Sequence, residues 1–467
     1  MEPIYIKELE ENSLNELSKK LGLDENRTVN ILNVMESYDY VKFDKNNDKY
    51  KFNFVGIILA ENTVIKCYPK YYKDEISPDD FKQIIDVIRR FNEFYEYDYD
   101  NDISNDLSFN LLSLMIFFIE DYYQNGTYTS YKSIHEINGM GEINWDKSIN
   151  NNIAIIQNKK PYYLDLFTRK KLNDENNFFR LLHEFIITDC CNKLFNANLL
   201  ELFGFSKIHL SDMSLDDFGE KNFLLYNLEK EMFSEFNSHK HKLLKLMHMY
   251  VSQYNSFSDK NFLTLYGTKK FYNVWENVCS EVIGNKLDVK LKNLALPSKL
   301  HESFGEGDYE LKKIIEKPKW VFYGIKEFKK DTLKPDVITF DLAKNEFLIF
   351  DAKYYDVDVT ESKLEGQPGI GAILKQYFYQ LAYDDFIKLN GFTSVKNAFL
   401  FPTAGDTENK GLVKLDMLNT INLVDDSHLE NIQVIFVSAS KFYELYLNNE
   451  KTEFSSLKIN ILEKFKS

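Results

Sequence analysis

No run of about eighteen apolar residues occurs in this chain, so no membrane-spanning helix is expected. Cysteine is scarce. Cys67, Cys190, Cys191 and Cys279 are the full set, and no two form a C-x-x-C pair. That leaves neither a zinc site nor a disulfide framework to read. A reducing cytoplasm is the simplest setting. The amino terminus, MEPIYIKELEENS, is acidic and lacks the apolar core of a signal peptide. No G-x-x-x-x-G-K-[ST] loop is present, so the chain is not expected to bind nucleotide as a P-loop motor. GQPGIG at 366–371 lacks the lysine and reads as a loop beside a cleft. Repeats and low-complexity tracts are missing as well.

An excess of positive charge is also lacking: the net charge is -15. Proteins that grip nucleic acid unaided usually present a strongly basic surface. If nucleic acid is the substrate, a partner is expected to help deliver it.

What the chain does have is length and apolar content. Its 467 residues, 44% hydrophobic, can form two or three domains, each with its own core. Residues 1–75 read as a winged-helix-like and small β module. Ser13 caps a first helix that stops at Gly22, and Asp24 caps a second with Val29, Leu32 and Met35 at helical spacing. A strand pair around DKNND resembles a wing. The second helix offers only Arg27 to a nucleic acid, so protein contact or packing is the plainer use. Val55–Leu59 and Thr63–Cys67 read as further strands.

Residues 76–255 read as mostly helical. Helices are expected at Pro78–Tyr95, Leu107–Tyr123 and Glu175–Asn196, with one long helix at Phe223–Tyr254. GMGEINW (139–145) reads as loop and strand. Residues 256–260 form the expected boundary. From 256 to 467 the order helix, strands, helix, strand indicates an α/β domain with a mixed central sheet flanked by helices.

Lys334–Tyr355 carries the chemistry. It reads as two strands joined by a tight turn, with Asp336 opening the first and Asp351-Ala352-Lys353 ending the second. Side chains alternate faces along a strand, so Asp351 and Lys353 point the same way, and a hairpin can bring Asp336 close. Phe347-Leu348-Ile349-Phe350 is apolar on both faces and marks a central strand. Two carboxylates and a lysine can hold a divalent ion and activate a water. Such an ion lowers the water's pKa and neutralises charge that develops on a phosphodiester. Mg2+, with Mn2+ able to substitute, suits carboxylate oxygens. Lys353 can orient or deprotonate the water, or stabilise the pentavalent phosphorus.

With Pro335-Asp336 followed by Asp351-Ala352-Lys353, the chain resembles the PD-(D/E)XK nuclease superfamily. The resemblance implies a restriction-endonuclease-like domain and a further metal-binding glutamate on the preceding helix, for which Glu276 is the candidate and Glu281 the fallback. It also implies accessory Gln/Tyr residues on the next helix. Gln376 and Gln380 fit loosely, with Tyr377 and Tyr383 nearby. A narrower resemblance rests on Val55-Gly56-Ile57-Ile58, Tyr68-Pro69-Lys70-Tyr71-Tyr72, Gly141-Glu142-Ile143-Asn144-Trp145, Val274-Trp275-Glu276 and Asp351-Ala352-Lys353-Tyr354-Tyr355. These look like the LlaJI/McrC group of restriction nuclease subunits. That resemblance implies double-stranded DNA as substrate and a separate McrB-like AAA+ GTPase hexamer as partner. It also implies that the N-terminal part docks on the motor and stimulates it. Two alternatives stay open: a stand-alone endonuclease that uses its own winged helix, and a non-catalytic winged-helix regulator.

Other patterns carry less. His183-Glu184 lacks a second histidine, because position 187 is Ile. His239, His241 and His248 do not make a metal face. Cys190-Cys191 reads as core. Tyr354-Tyr355 is expected to pack over the sheet edge.

Overall fold

A computed structural model of the chain describes residues 4–60, 63–94, 111–254, 263–294, 296, 309–322, 325–328, 332–359, 364–415 and 429–457. Two compact units result. One is built mainly from Asp100–Tyr266; the other gathers Glu2–Ile58, Val64–Tyr99 and Gly267–Ser467. The N-terminal and C-terminal segments thus share a unit. The expected boundary at 256–260 lies outside the described residues.

The N-terminal segment follows its capping signals. β1 (Ile4–Lys7) leads to α1 (Leu14–Leu21). The Ser13 hydroxyl accepts from the Glu16 amide at 3.3 Å, and the Glu16 carboxylate accepts the Ser13 amide at 2.7 Å. This is a capping box. Gly22 ends the helix at φ 63, a left-handed conformation that favours glycine. α2 (Glu25–Ser37) begins at Asp24, which accepts from the Arg27 amide at 2.9 Å, and buries Ile31, Leu32 and Met35. β2 (Val41–Asp44) and β3 (Lys49–Phe52) form the antiparallel wing. β4 (Val55–Ala60) and β5 (Thr63–Tyr68) follow, with β1 parallel to β5 on its far side from β4. α3 (Pro78–Phe94) completes the segment. The sequence reading did not include β1, because four residues are too few to show strand periodicity.

The middle unit contains α4 (Leu111–Asn125), β6 (Tyr131–Ile137), β7 (Glu142–Ile143), α5 (Trp145–Asn151), β8 (Ile155–Gln157), β9 (Lys160–Tyr162), β10 (Phe167–Asn173), α6 (Phe178–Asn196), α7 (Lys221–Ser234) and α8 (Ser238–Gln253). Beside its helices it carries an antiparallel sheet, β6-β10-β7, and a small β8-β9 hairpin. GMGEINW is strand only at Glu142–Ile143; Asn144 caps α5, which Trp145 opens. The single helix expected over 223–254 is two helices. Glu235 is extended, and Asn237 accepts from the Lys240 amide at 3.0 Å to start α8, which packs back on α7. A side chain that satisfies a first-turn donor starts a new helix more readily than it continues an old one. His183 and both cysteines of the 190–191 pair are buried in α6.

The C-terminal segment holds β11 (Leu263–Thr268), α9 (Phe271–Ile283), the hairpin β12 (Lys319–Phe322) and β13 (Ile325–Phe328), β14 (Val337–Asp341), β15 (Glu346–Ala352), the short pair β16 (Asp358–Val359) and β17 (Leu364–Glu365), α10 (Ile370–Ala382), α11 (Asp384–Leu389), β18 (Ser394–Thr403), β19 (Glu408–Val413), β20 (Ile432–Ser438) and α12 (Ala439–Leu447). The main sheet runs β14-β15-β18-β20-β19. Its outer pairs are antiparallel and its inner pairs, β15-β18 and β18-β20, are parallel. The sheet is therefore mixed, as expected. The β12-β13 hairpin is separate from this sheet. Phe347 through Ala352 are all buried in β15, because helices or loops cover both faces.

Candidate active site

The site is built at the end of β15. Register pairs Val337 with Phe350, so Asp336 falls opposite the strand's last acidic residue. Its Oδ2 accepts the Ala352 amide at 2.8 Å. Asn285, just beyond α9, holds both sides of Asp336. Its Nδ2 donates to the Asp336 carbonyl at 2.9 Å, and its Oδ1 accepts from the Ile338 amide at 3.1 Å. Asp351 is 5% exposed and forms an ion pair with the half-buried Lys353 ammonium. Alternation along the strand puts both on one face.

α9 supplies the third acid. Trp275 is fully buried, and its Nε1 donates to the Leu400 carbonyl at 3.1 Å. That carbonyl also accepts the Lys353 amide at 2.9 Å. One acceptor on β18 therefore fixes both the helix and the strand end, and Glu276, next to Trp275, is half-buried toward the acids. Its carboxyl is pushed up by burial and by Asp351, with Lys353 and Lys334 opposing. Asp336 is pushed up strongly by burial, by Asp351 and by Glu276. Burial alone would lower the Lys353 pKa; Asp351 and Asp336 outweigh it, so Lys353 lies above the ordinary lysine range and is protonated. These four side chains form one electrostatic cluster.

The fallback Glu281 lies elsewhere, paired with Arg90 at 3.3 Å. Gln376 is fully buried between helix and sheet; its Nε2 donates to Asn397 Oδ1 at 2.6 Å. Gln380 Oε1 accepts from the Glu430 amide at 3.0 Å. The accessory side chain that reaches the acids is Tyr379, which the sequence reading missed. Its hydroxyl donates to the Lys334 carbonyl at 3.0 Å, and its pKa is raised by burial, Asp351, Asp336 and Glu276. Helical spacing was the available signal, since residues 376, 379 and 383 share one face of a helix. Of the tyrosine pair, Tyr354 is buried and donates its hydroxyl to the buried Glu8 carboxylate, while Tyr355 is 40% exposed. His183 is core, His239 pairs with Asp121 at 2.6 Å, and His248 with Glu229 at 3.2 Å.

Among the described residues, no group of three or more His, Cys, Asp or Glu is set as a ready metal cage. One Asp336 oxygen is used by Ala352, and Asp351 is engaged by Lys353. This donor set does not suit an all-protein cage. It fits a hard divalent ion that takes a few carboxylate oxygens and keeps waters. The crowding that raises Asp336 and Glu276 is the repulsion such an ion would relieve.

The class to which this chain belongs is the restriction enzymes. The model of the LlaJI restriction endonuclease family matches residues 54–440, and the chain is a member of that family. It is similar to the Type II restriction enzyme BsuMI component YdjA of Bacillus subtilis (strain 168), at 29% identity, over 85% of this chain and 81% of the relative. Among solved structures it is similar to a chain of a half-complex of Thermococcus gammatolerans McrB AAA+ hexamers with bound McrC. That match has 14% identity and a TM-score of 0.36, and covers 96% of this chain and 100% of the other. Among the described residues, no helix is long and apolar enough to cross a membrane.

Proposed function

We propose that the chain is the nuclease subunit of a McrBC/LlaJI-like restriction system and hydrolyses phosphodiester bonds of double-stranded foreign DNA. The carrying observation is the convergence of Asp336, Asp351 and Lys353 at one strand end, with Glu276 delivered by α9. In this reading the C-terminal segment is a PD-(D/E)XK domain. Asp336, Asp351 and Glu276 would hold Mg2+, or Mn2+ in its place, which supplies an acidified water and charge neutralisation when bound. Lys353, protonated and held by Asp351, acts as a fixed cation that orients the attacking water and stabilises charge on phosphorus. Tyr379 steadies Lys334, the residue that leads into Pro335-Asp336.

The chain binds no nucleotide itself; a McrB-like AAA+ GTPase hexamer activates it and is stimulated in return. Residues 76–255 make the partner contacts. The support is the apolar surface of that region: Ile137, Met140, Ile153, Ile156 and Leu164 are 59%, 95%, 92%, 68% and 76% exposed. Large apolar side chains left exposed in that number within one stretch of chain mark interaction surface.

The test is cleavage of duplex DNA with Mg2+, with and without the GTPase. Cutting is expected only with the partner and GTP. Robust cutting by the chain alone points to the stand-alone endonuclease. Tight sequence-specific binding with no Mg2+-dependent cutting points to the regulator.

A further inference from the structure

A cleft of about 650 Å3 opens beside the acidic cluster, and Glu276, Ala352 and Lys353 are among its lining residues. Hydrolysis accounts for those three. It does not account for Lys269, Lys270, Tyr272 and Tyr355, which line the same cleft. Lys269 and Lys270 are exposed. The Lys269 ammonium donates to the Tyr38 carbonyl at 3.1 Å and lies 4.8 Å from the Tyr40 ring centre. A cation is thereby fixed where α9 begins, against the N-terminal segment. Among the described residues, Lys270 has no carboxylate partner. Tyr272 and Tyr355 are 44% and 40% exposed. Residues Leu9, Asp39 and Asn53 of the winged-helix-like module also line this cleft.

In a chain of net charge -15, two cleft lysines that have no carboxylate partner among the described residues call for an anionic occupant in a candidate phosphodiesterase. Lys270 precedes Glu276 by six residues of helix, about 9 Å along the axis. An extended lysine side chain at that distance reaches a phosphate adjacent to the one being cut.

We propose that Lys269, Lys270, Tyr272 and Tyr355 form a subsite for the DNA strand flanking the scissile phosphate. The lysines grip the sugar-phosphate backbone, and the two tyrosines bound its path. The N-terminal module is then a wall of the substrate cleft. The inference rests on the nuclease reading above.

The test measures binding of a short fluorescein-labelled duplex by anisotropy, in EDTA, over a series of salt concentrations. The proteins are the parent, Lys270→Gln, Lys269→Gln/Lys270→Gln and Asp351→Ala; cleavage with Mg2+ and partner is followed in parallel. Each lost phosphate contact lowers the slope of log affinity against log salt by about 0.9. The double variant is expected to lose about 2 units of slope and to bind tens of fold more weakly at about 0.1 M salt. Lys270→Gln, at an exposed position with no carboxylate partner, should lose about half of that slope. Asp351→Ala removes a carboxylate and releases the Lys353 ammonium, so in EDTA it should bind the duplex at least as tightly as the parent. Parental affinity and slope in both lysine variants would overturn the subsite, as would a parent chain that binds no duplex at low salt. Normal binding by the lysine variants together with a dead Asp351→Ala sinks the subsite and leaves the nuclease reading standing. Weak binding by the lysine variants together with full cutting by Asp351→Ala does the reverse.

Discussion

Replacing Asp336 with asparagine should make the metal-free protein more stable while removing its activity. Asp336 sits close enough to Asp351 for the two carboxyls to share a hydrogen bond, and Glu276 adds a third acid. Two full charges about 4 Å apart would repel by about 4 kcal/mol at an effective dielectric near 20; that repulsion keeps the proton on Asp336 and limits the cost to that of binding it. Lys353 offsets part of this, and half-burial of Asp336 screens more, which leaves about 2 kcal/mol. Asp336→Asn removes that cost. The new amide oxygen still accepts the Ala352 amide, as a neutral bond weaker by about 1 kcal/mol. The net gain is about 1 kcal/mol, or about 2 °C in Tm for a unit of this size. Divalent ions reverse the ranking. An ion at tenfold its Kd stabilises the parent by about 1.4 kcal/mol and the variant by less. The assay is thermal unfolding of both proteins in EDTA and in Mg2+. A variant less stable than the parent in EDTA, with the same gain from Mg2+, would refute the reasoning.

Two further outcomes are expected. Asn285→Ala removes the bridge on either side of Asp336 and strands its backbone partners. It should cost about 2 kcal/mol and slow cutting at least tenfold while leaving duplex affinity unchanged, read by single-turnover cleavage and anisotropy. The second outcome is a pH effect in the middle unit, where burial pushes the His183 pKa down to about 4 and its Nδ1 accepts the Tyr128 amide at 3.0 Å. Unfolded, this histidine titrates near 6.5, so below that pH the unfolded state binds the extra proton and stability falls as pH falls. The loss between pH 7 and pH 5 should be about 2 kcal/mol; equal losses in the parent and in His183→Gln would contradict it.

The site hairpin was legible because its signals are local. Alternation, an apolar strand core and charged residues at the strand end all fall within Lys334–Tyr355. The caps at Ser13, Asp24 and Gly22 were legible for the same reason. What stayed hidden depends on contacts distant in sequence. Nothing local announces that Leu400 accepts from both Trp275 and Lys353, or that Glu8 takes the Tyr354 hydroxyl. The grouping of the N-terminal module with the C-terminal segment rests on such contacts. Gln376 was read as accessory for its residue type, but Asn397 lies beside it on β18 and takes its amide. Tyr379, one turn further on, faces the acids instead. The break between α7 and α8 was missed because the apolar periodicity runs through it, and only the Asn237 cap marks it.

The central claim is that the end of β15 cuts DNA. The direct measurement is Mg2+-dependent cleavage of duplex DNA by the parent and by Asp351→Ala, each with the GTPase partner and GTP, at matched protein folding and DNA affinity. The account predicts cleavage by the parent and a loss of about a hundred- to a thousandfold in the variant, on the order of the loss of a central transition-state contact. Equal cleavage by the two proteins contradicts it.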